Sequence, residues 1–258
     1  MDNYALITGS SKGLGLAMAH SLAKRKYNLI LVARSEQQLR DLKKELSQTY
    51  GVKVEILAVD LSLPGAALSV SKFCVENRFP LSVLINNAGY GVWGKFENIV
   101  LEEQLNMLQL NINAVVELTH FILPILKQQS QSYILNVSST AAYQALPTFS
   151  LYAASKAFIL SFTRGLRYEL RNQSVSVTCI SPGPIDTGFA DRAGLSMLTE
   201  MAAKFNMRPD VVAEIGINAM FAGKSEVVPG FTNKISAFAA RLLPKSILEQ
   251  VGANIYKF

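Results

Sequence analysis

Six short runs rich in Val, Ile and Leu recur along the chain, most of them apolar at consecutive rather than alternate positions. They are Tyr4–Thr8, Asn28–Ala33, Lys53–Val59, Leu81–Asn86, Ser132–Ser138 and Ser174–Ile180. Between them lie longer amphipathic stretches with helical periodicity: Leu14–Lys26, Glu36–Tyr50, Leu63–Asn77, Glu102–Lys127 and Leu151–Arg171. A strand that is apolar on both faces has to be covered on both, and strands joined by helical crossovers run parallel. The alternation therefore predicts an α/β architecture, a doubly wound parallel sheet. With 50% hydrophobic and only 17% charged residues, the 258-residue chain can fill such a core and is too apolar for disorder. No internal repeat, low-complexity tract or linker interrupts the pattern, so one domain, 1–258, is expected.

The pattern changes after the sixth run. Pro182-Gly183-Pro184 breaks the chain, and 189–207 carries Phe189, Leu195, Leu198, Met201 and Phe205 with few charges. A segment of this kind beyond the carboxyl end of a parallel strand is expected to form a lid over a substrate crevice. Pro209 then opens a helix to Ala222, a short strand Glu226–Pro229 follows, and 231–258 reads as a helical tail broken at Pro244. Its apolar positions, Ile235, Phe238, Leu242, Ile247, Leu248, Val251 and Ile255, alternate with Lys234, Arg241, Lys245 and Lys257. Such helices can rest on an anionic bilayer or a second subunit, but packing on their own domain or across a subunit interface is the expectation here.

Lys and Arg exceed Asp and Glu by 25 to 19, a net charge of +6 that admits nucleic acid, a membrane surface or a phosphorylated small molecule as partner. Nothing resembles the clustered basic and aromatic face of a nucleic-acid binder. The residues Met1 to Thr8 lack a basic then apolar leader, and no window holds about 18 uncharged apolar residues, so a soluble cytoplasmic protein is expected. Cys74 and Cys179 are isolated from one another, which suits a reducing compartment, and His20 and His120 have no neighbouring ligand set for a metal.

Chemistry enters at Thr8-Gly9-Ser10-Ser11-Lys12-Gly13-Leu14-Gly15, directly between the first strand and the first helix. Glycines let the backbone turn tightly and approach a pyrophosphate, and the free N–H groups of a helix N-terminus favour its charge, so Gly9, Ser11, Lys12, Gly13, Leu14 and Gly15 are assigned to a dinucleotide. The second strand ends Val32-Ala33-Arg34-Ser35, with a cation where an acidic residue would take the adenosine ribose hydroxyls. A guanidinium there pairs with a 2′-phosphate, with Lys12 and Ser35 as further donors, which selects NADP(H) over NAD.

Together with Asp60 closing the third strand, Asn86-Asn87-Ala88-Gly89, Asn111, Ser139, Tyr152-x3-Lys156 and Pro182-Gly183-x3-Thr187, these residues carry a resemblance to the short-chain dehydrogenase/reductase family over residues 4 to about 230. The resemblance implies a Rossmann fold, Asn111, Ser139, Tyr152 and Lys156 as the catalytic set, and a homodimer or homotetramer built on the long fourth and fifth helices. It also implies that Asp60 and Leu61 contact the adenine, that Asn87, Ala88 and Gly89 line the adenosine side, and that Pro182, Gly183, Ile185 and Thr187 hold the nicotinamide. Tyr152 and Lys156 would touch its ribose. Residues four apart share a helix face, so the Lys156 ammonium can lie beside the Tyr152 phenol, whose ordinary pKa is about 10, and favour its phenolate. Tyr152 would then pass a proton to a carbonyl oxygen that Ser139 holds.

The expected function is NADPH-dependent reduction of a small-molecule ketone or aldehyde. Substrate contacts are expected from Tyr90, Trp93, Ala141, Tyr143, Phe149, Phe189, Leu198 and Met201, whose apolarity suggests a lipophilic compound, with Arg192 as the one cation near them. The alternatives are an oxidising alcohol dehydrogenase with the same residues and a non-catalytic NADP-binding regulator on the same fold.

Overall fold

The computed structural model describes residues 3–187 and 206–255. Its centre is one parallel sheet of seven strands, β1 (Tyr4–Thr8), β2 (Asn28–Ala33), β3 (Val54–Ala58), β4 (Leu81–Asn86), β5 (Ser132–Val137), β6 (Val175–Ile180) and β7 (Glu226–Val227), in the order β3-β2-β1-β4-β5-β6-β7. Each of the six expected strands lies within one residue of its sequence bounds. The consecutive apolar positions are explained by two cores. Ala5 and Ile7 of β1 cluster with Met18 and Leu22 of α1 (Gly13–Lys24), Leu39 of α2 (Glu36–Tyr50) and Ile217 of α7 (Pro209–Phe221). Tyr4 and Leu6 cluster with Val70 of α3 (Ala66–Glu76), Leu118 and Ile122 of α5 (Ala114–Leu126) and Leu166 of α6 (Ser150–Glu169). The chain winds outward from β1 to β3, then returns to set β4 against the other edge of β1. The carboxyl ends of β1 and β4 thus flank a crevice, the usual ligand site of an open α/β sheet.

Among the helices expected before the tail, bounds differ from expectation by three residues or more in two places. The third helix starts at Ala66 rather than Leu63, because Pro64 and Gly65 form a turn with Gly65 at φ +77°. The expected single helix over Glu102–Lys127 is interrupted: α4 (Leu101–Leu108) and α5 are joined by a π-turn, Gln109–Asn113. There the Ala114 N–H reaches back to Gln109 O, five residues away. The cause is Asn111, whose amide donates to Tyr90 O at 2.9 Å and Ser155 Oγ at 3.1 Å and accepts from Tyr90 N at 3.1 Å. By length and composition the run Leu101–Leu126 could cross a bilayer, which the stricter uncharged-window criterion passes over. In the fold it docks on the protein through Met107, Ala114, Leu118, Ile122 and Leu126.

A chain of polar side chains crosses the core beneath β4 and β5. Asn86 donates to Thr119 Oγ1 of α5 at 3.1 Å and to Asn136 Oδ1 at 2.9 Å, and Asn136 donates to Thr163 Oγ1 of α6 at 2.9 Å. Asn86 and Asn136 sit opposite one another in the β4–β5 register, so the chain ties both helices to the sheet just below the crevice. Removing one member leaves buried partners unpaired. Asn136→Ala is expected to cost about 2 kcal/mol in urea unfolding, and Asn86→Ala/Asn136→Ala to cost much less than the sum of the single changes.

Candidate active site

The crevice is one continuous cleft of about 680 Å³ running across the carboxyl edge of the sheet. One end is lined by the loop after β1. Gly9 and Gly13 hold φ of +64° and +58°, and a Cβ on Gly15 would lie 2.2 Å from Gly9 O, so no other residue fits where the loop turns into α1. Lys12, at the N-cap of α1, makes no side-chain capping bond. The first N–H groups of the helix are thereby left to an anion. The loop is held by its neighbour: Thr8 Oγ1 accepts from Asn87 N and Ala88 N, both at 3.0 Å, while the Asn87 amide donates to Thr8 O at 2.9 Å and Gly9 O at 3.2 Å.

Further along, Arg34 and Ser35 line the cleft from the end of β2, with Asp60 and Leu61 beside them. Arg34 Nη1 stands 3.7 Å from Asp60 Oδ2, and Asp60 is oriented by Ser62, which donates from N at 2.9 Å and from Oγ at 2.6 Å. Ser35 Oγ accepts from Gln38 N at 3.5 Å and caps α2, a role that leaves the hydroxyl proton free to serve as donor.

At the centre, Ser139 follows β5, and its Oγ accepts from Ala141 N at 3.1 Å, capping a single 3₁₀ turn, Thr140–Tyr143. Tyr152 and Lys156 are buried on α6. Lys156 Nζ donates to Val137 O at 3.1 Å and lies 5.7 Å from the centre of the Tyr152 ring. That ring stacks on Phe149, with centroids 4.3 Å apart. Ser138 Oγ donates to Lys156 O at 2.7 Å and so locks α6 to the end of β5. Burial pushes the Lys156 ammonium down to about 8. A Cβ on Gly89 would come within 2.9 Å of Asn111 Oδ1 and 3.4 Å of Lys156 Nζ, which places those two groups on either side of one small residue.

Comparison with known proteins gives this arrangement its family. The family model described as short chain dehydrogenase matches residues 3–197. The chain belongs to the short-chain dehydrogenase family. Like its relatives it is an oxidoreductase acting between a nicotinamide cofactor and a C=O or CH–OH group. It is 30% identical over 230 residues to hydroxysteroid dehydrogenase-like protein 1 of Gallus gallus, covering 88% of this chain and 68% of that one. It is 27% identical over 246 residues to 17-beta-hydroxysteroid dehydrogenase type 3 of Homo sapiens, covering 93% and 77%. Among solved structures, a short-chain dehydrogenase from Sphingobium yanoikuyae in complex with NADPH superposes with a TM-score of 0.83 at 28% identity, covering 94% of each chain.

Within this short-chain dehydrogenase the expected site residues separate into three groups. Those of the glycine loop, the β2, β3 and β4 ends, and Ser139, Ala141, Tyr143, Phe149, Tyr152, Lys156, Pro182, Gly183, Ile185 and Thr187 line the cleft; Gly15 and Asn111 stand directly behind it. Trp93 and Tyr90, expected at the substrate, do not line the cleft formed by the described residues. They pack instead on the cluster of Met107, Ala141, Leu146 and Phe149, and the Tyr90 hydroxyl donates to Glu103 O at 3.3 Å. The reason is the turn after Gly89, where Gly91 lets the chain pass behind the Phe149 ring; a Cβ there would lie 2.5 Å from it. Phe189, Arg192, Leu198, Met201 and nearly all of the proposed lid fall outside the described residues.

Sequence reasoning missed the fourth wall. Asn233, Ser236, Ala237 and Ala240 of the tail helix α8 (Phe231–Leu242) also line the cleft, and Gln38, Gln144 and Asn206 add polar groups to its wall. The small residues at 233, 236, 237 and 240, spaced to share one helix face, were the available signal. The same helix is anchored through Glu226 on β7, whose side chain is 16% exposed. Tyr143 donates its hydroxyl proton to Glu226, Arg241 of α8 reaches the same carboxylate at 3.1 Å, and Arg164 of α6 lies 3.9 Å away. Burial and the bond to Glu226 push the Tyr143 phenol up, so it stays protonated.

Because Lys156 has a folded-state value of about 8 against an ordinary 10.5, its buried charge costs stability in full below pH 8. The cost fades between pH 8 and 10.5, where only the unfolded chain keeps the proton. Lys156→Met is therefore expected to stabilise the cofactor-free protein at pH 7 by about 2 kcal/mol, after the lost bond to Val137 is counted. Thermal unfolding at pH 7 and pH 10 should show that gain shrinking as pH rises.

Proposed function

We propose that the protein is an NADPH-dependent reductase of a lipophilic ketone or aldehyde. The observation that carries the reading is the meeting, in one cleft, of a buried Tyr152–Lys156 pair beside Ser139 with a phosphate cradle whose outer end is Arg34. The cradle fits a dinucleotide: Gly9, Gly13 and Gly15 leave room only for backbone where a pyrophosphate must approach, and the α1 N-terminus lacks a capping side chain. Arg34, Lys12 and Ser35 line the cleft and are assigned to a 2′-phosphate, and Ile185 and Thr187, which line it too, to the carboxamide. NADPH, when bound, supplies the hydride that reaches the carbonyl carbon.

The side chains do the rest. Ser139 donates to the carbonyl oxygen and fixes its direction, since its own oxygen is already turned by Ala141 N. Tyr152 delivers the proton to that oxygen, and the Lys156 charge, held 5.7 Å from the ring, eases the departure of that proton. Asn111 keeps the Tyr90 turn and Ser155 in place behind this pair and serves the proton relay. Stacking on Phe149 restrains the Tyr152 ring. The apolar lining of Ala141, Leu146, Phe149, Ala237 and Ala240 supports a lipophilic substrate, as do relatives named as hydroxysteroid dehydrogenases. Exposed Leu101 and Leu105 on α4 and Phe158 on α6 support assembly into a homodimer or homotetramer through those helices. Two free, buried cysteines, Cys74 and Cys179, suit a cytoplasmic setting.

NADPH oxidation followed across ketones and aldehydes graded by chain length and ring size tests the reading, and no turnover with any of them would favour a regulator. Tyr152→Phe is expected to abolish turnover while leaving NADPH affinity within about twofold. Arg34→Asp is expected to raise KM for NADPH by about tenfold or more and to leave KM for NADH nearly unchanged; equal effects would remove the phosphate assignment.

A further inference from the structure

The tail helix is built inside out. Its small and polar residues, Asn233, Ser236, Ala237 and Ala240, line the cleft. Its large apolar residues, Phe231, Ile235, Phe238 and Leu242, are 76, 53, 63 and 69% exposed. At the helical angular step these four fall within an arc of about 60°, on the side opposite the cleft residues. The ridge continues across Pro244 through exposed Leu243 and, on α9 (Lys245–Ile255), Ile247 and Val251. A surface helix ordinarily buries its apolar stripe, and a contiguous exposed patch of this kind marks a contact surface.

Charge selects the partner. Lys234, Arg241 and Lys245 are exposed around the ridge, and at 100° per residue Lys234 and Arg241 flank its same edge. Among the described residues of 224–255 the acidic groups are Glu249 on α9 and Glu226, the latter already engaged by Arg241 and Arg164. An antiparallel ridge-to-ridge pair about a twofold axis would set the Lys234 edges of the two helices side by side at the border of an apolar interface, which is costly. An anionic bilayer has the complementary arrangement, with headgroups for the lysines and an acyl boundary for Phe231, Ile235, Phe238 and Leu242.

We propose that α8 and the start of α9 form an in-plane seat by which the protein rests on an anionic membrane surface. The wall of the substrate cleft then lies one helix thickness from lipid. The seat does not depend on which carbonyl compound is reduced, or on whether any is.

The test uses the purified full chain and vesicles of phosphatidylcholine with or without phosphatidylglycerol. The protein is expected to sediment with the anionic vesicles, to be released as salt is raised, and to bind the neutral ones far less. Phe231→Ser/Phe238→Ser and Lys234→Glu/Lys245→Glu should each weaken that binding by about tenfold or more while keeping the wild-type melting temperature and NADPH affinity. Three results would overturn the proposal: wild type left in the supernatant with anionic vesicles, equal binding to both compositions, or variants that bind as wild type does. Light scattering supplies a fourth: a dimer that the Phe variant alone dissolves, without vesicle binding, would assign the ridge to a second copy.

Discussion

The active site hangs from the junction between the ends of β1 and β4. One threonine hydroxyl, Thr8, receives the N–H groups of Asn87 and Ala88, and the Asn87 amide returns the contact to Thr8 and Gly9. Those bonds set the spacing between the glycine loop and the Asn-Asn-Ala-Gly turn at the point where the winding of the sheet reverses. Were that spacing to change, the cradle before α1 would no longer face the groups that follow β4 and β5. The buried chain through Asn86, Asn136 and Thr163 performs the corresponding task one layer deeper, fixing α6, and with it Tyr152 and Lys156, to the same two strands.

Electrostatic work is divided along the cleft. At the outer end, Lys12 and Arg34 are exposed and well hydrated, so their charge costs the fold little and is available to a phosphate. At the inner end, Lys156 is buried and its charge is expensive, which is why its proton is held less tightly than in water. A cation under that strain is suited to sharing its field with a neighbouring phenol, and Val137 O and the Ser138 contact to Lys156 O keep it from swinging toward solvent. Under the proposed mechanism, the stability sacrificed at Lys156 is a local cost set against proton transfer through Tyr152.

The cleft wall formed by the tail depends on contacts between distant segments. Glu226 on the edge strand gathers Tyr143 from the turn after Ser139, Arg164 from α6 and Arg241 from the tail, so three elements that shape the cleft share one carboxylate. The tail is thereby part of the site wall. Turning its small face inward to line the cleft leaves its large apolar face outward, and the two properties are consequences of a single orientation.

From the sequence alone came the α/β alternation, the bounds of the first six strands to within a residue, and the glycine loop, Arg34, Ser139, Tyr152 and Lys156, which the fold brings to one cleft. These are short-range features: a strand apolar on both faces, a glycine run between strand and helix, and residues one helical turn apart can each be read locally. Long-range contacts decided the rest. The π-turn exists because Asn111 finds Tyr90 and Ser155, residues 21 and 44 positions away. Trp93 packs on the Met107–Phe149 cluster rather than lining the cleft of the described residues, where Gly91 passes against the Phe149 ring, and the tail joins the cleft wall as Arg241 meets Glu226. Periodicity can show that a helix has two unlike faces, but which of them meets the protein is settled only when the partners are brought together in space.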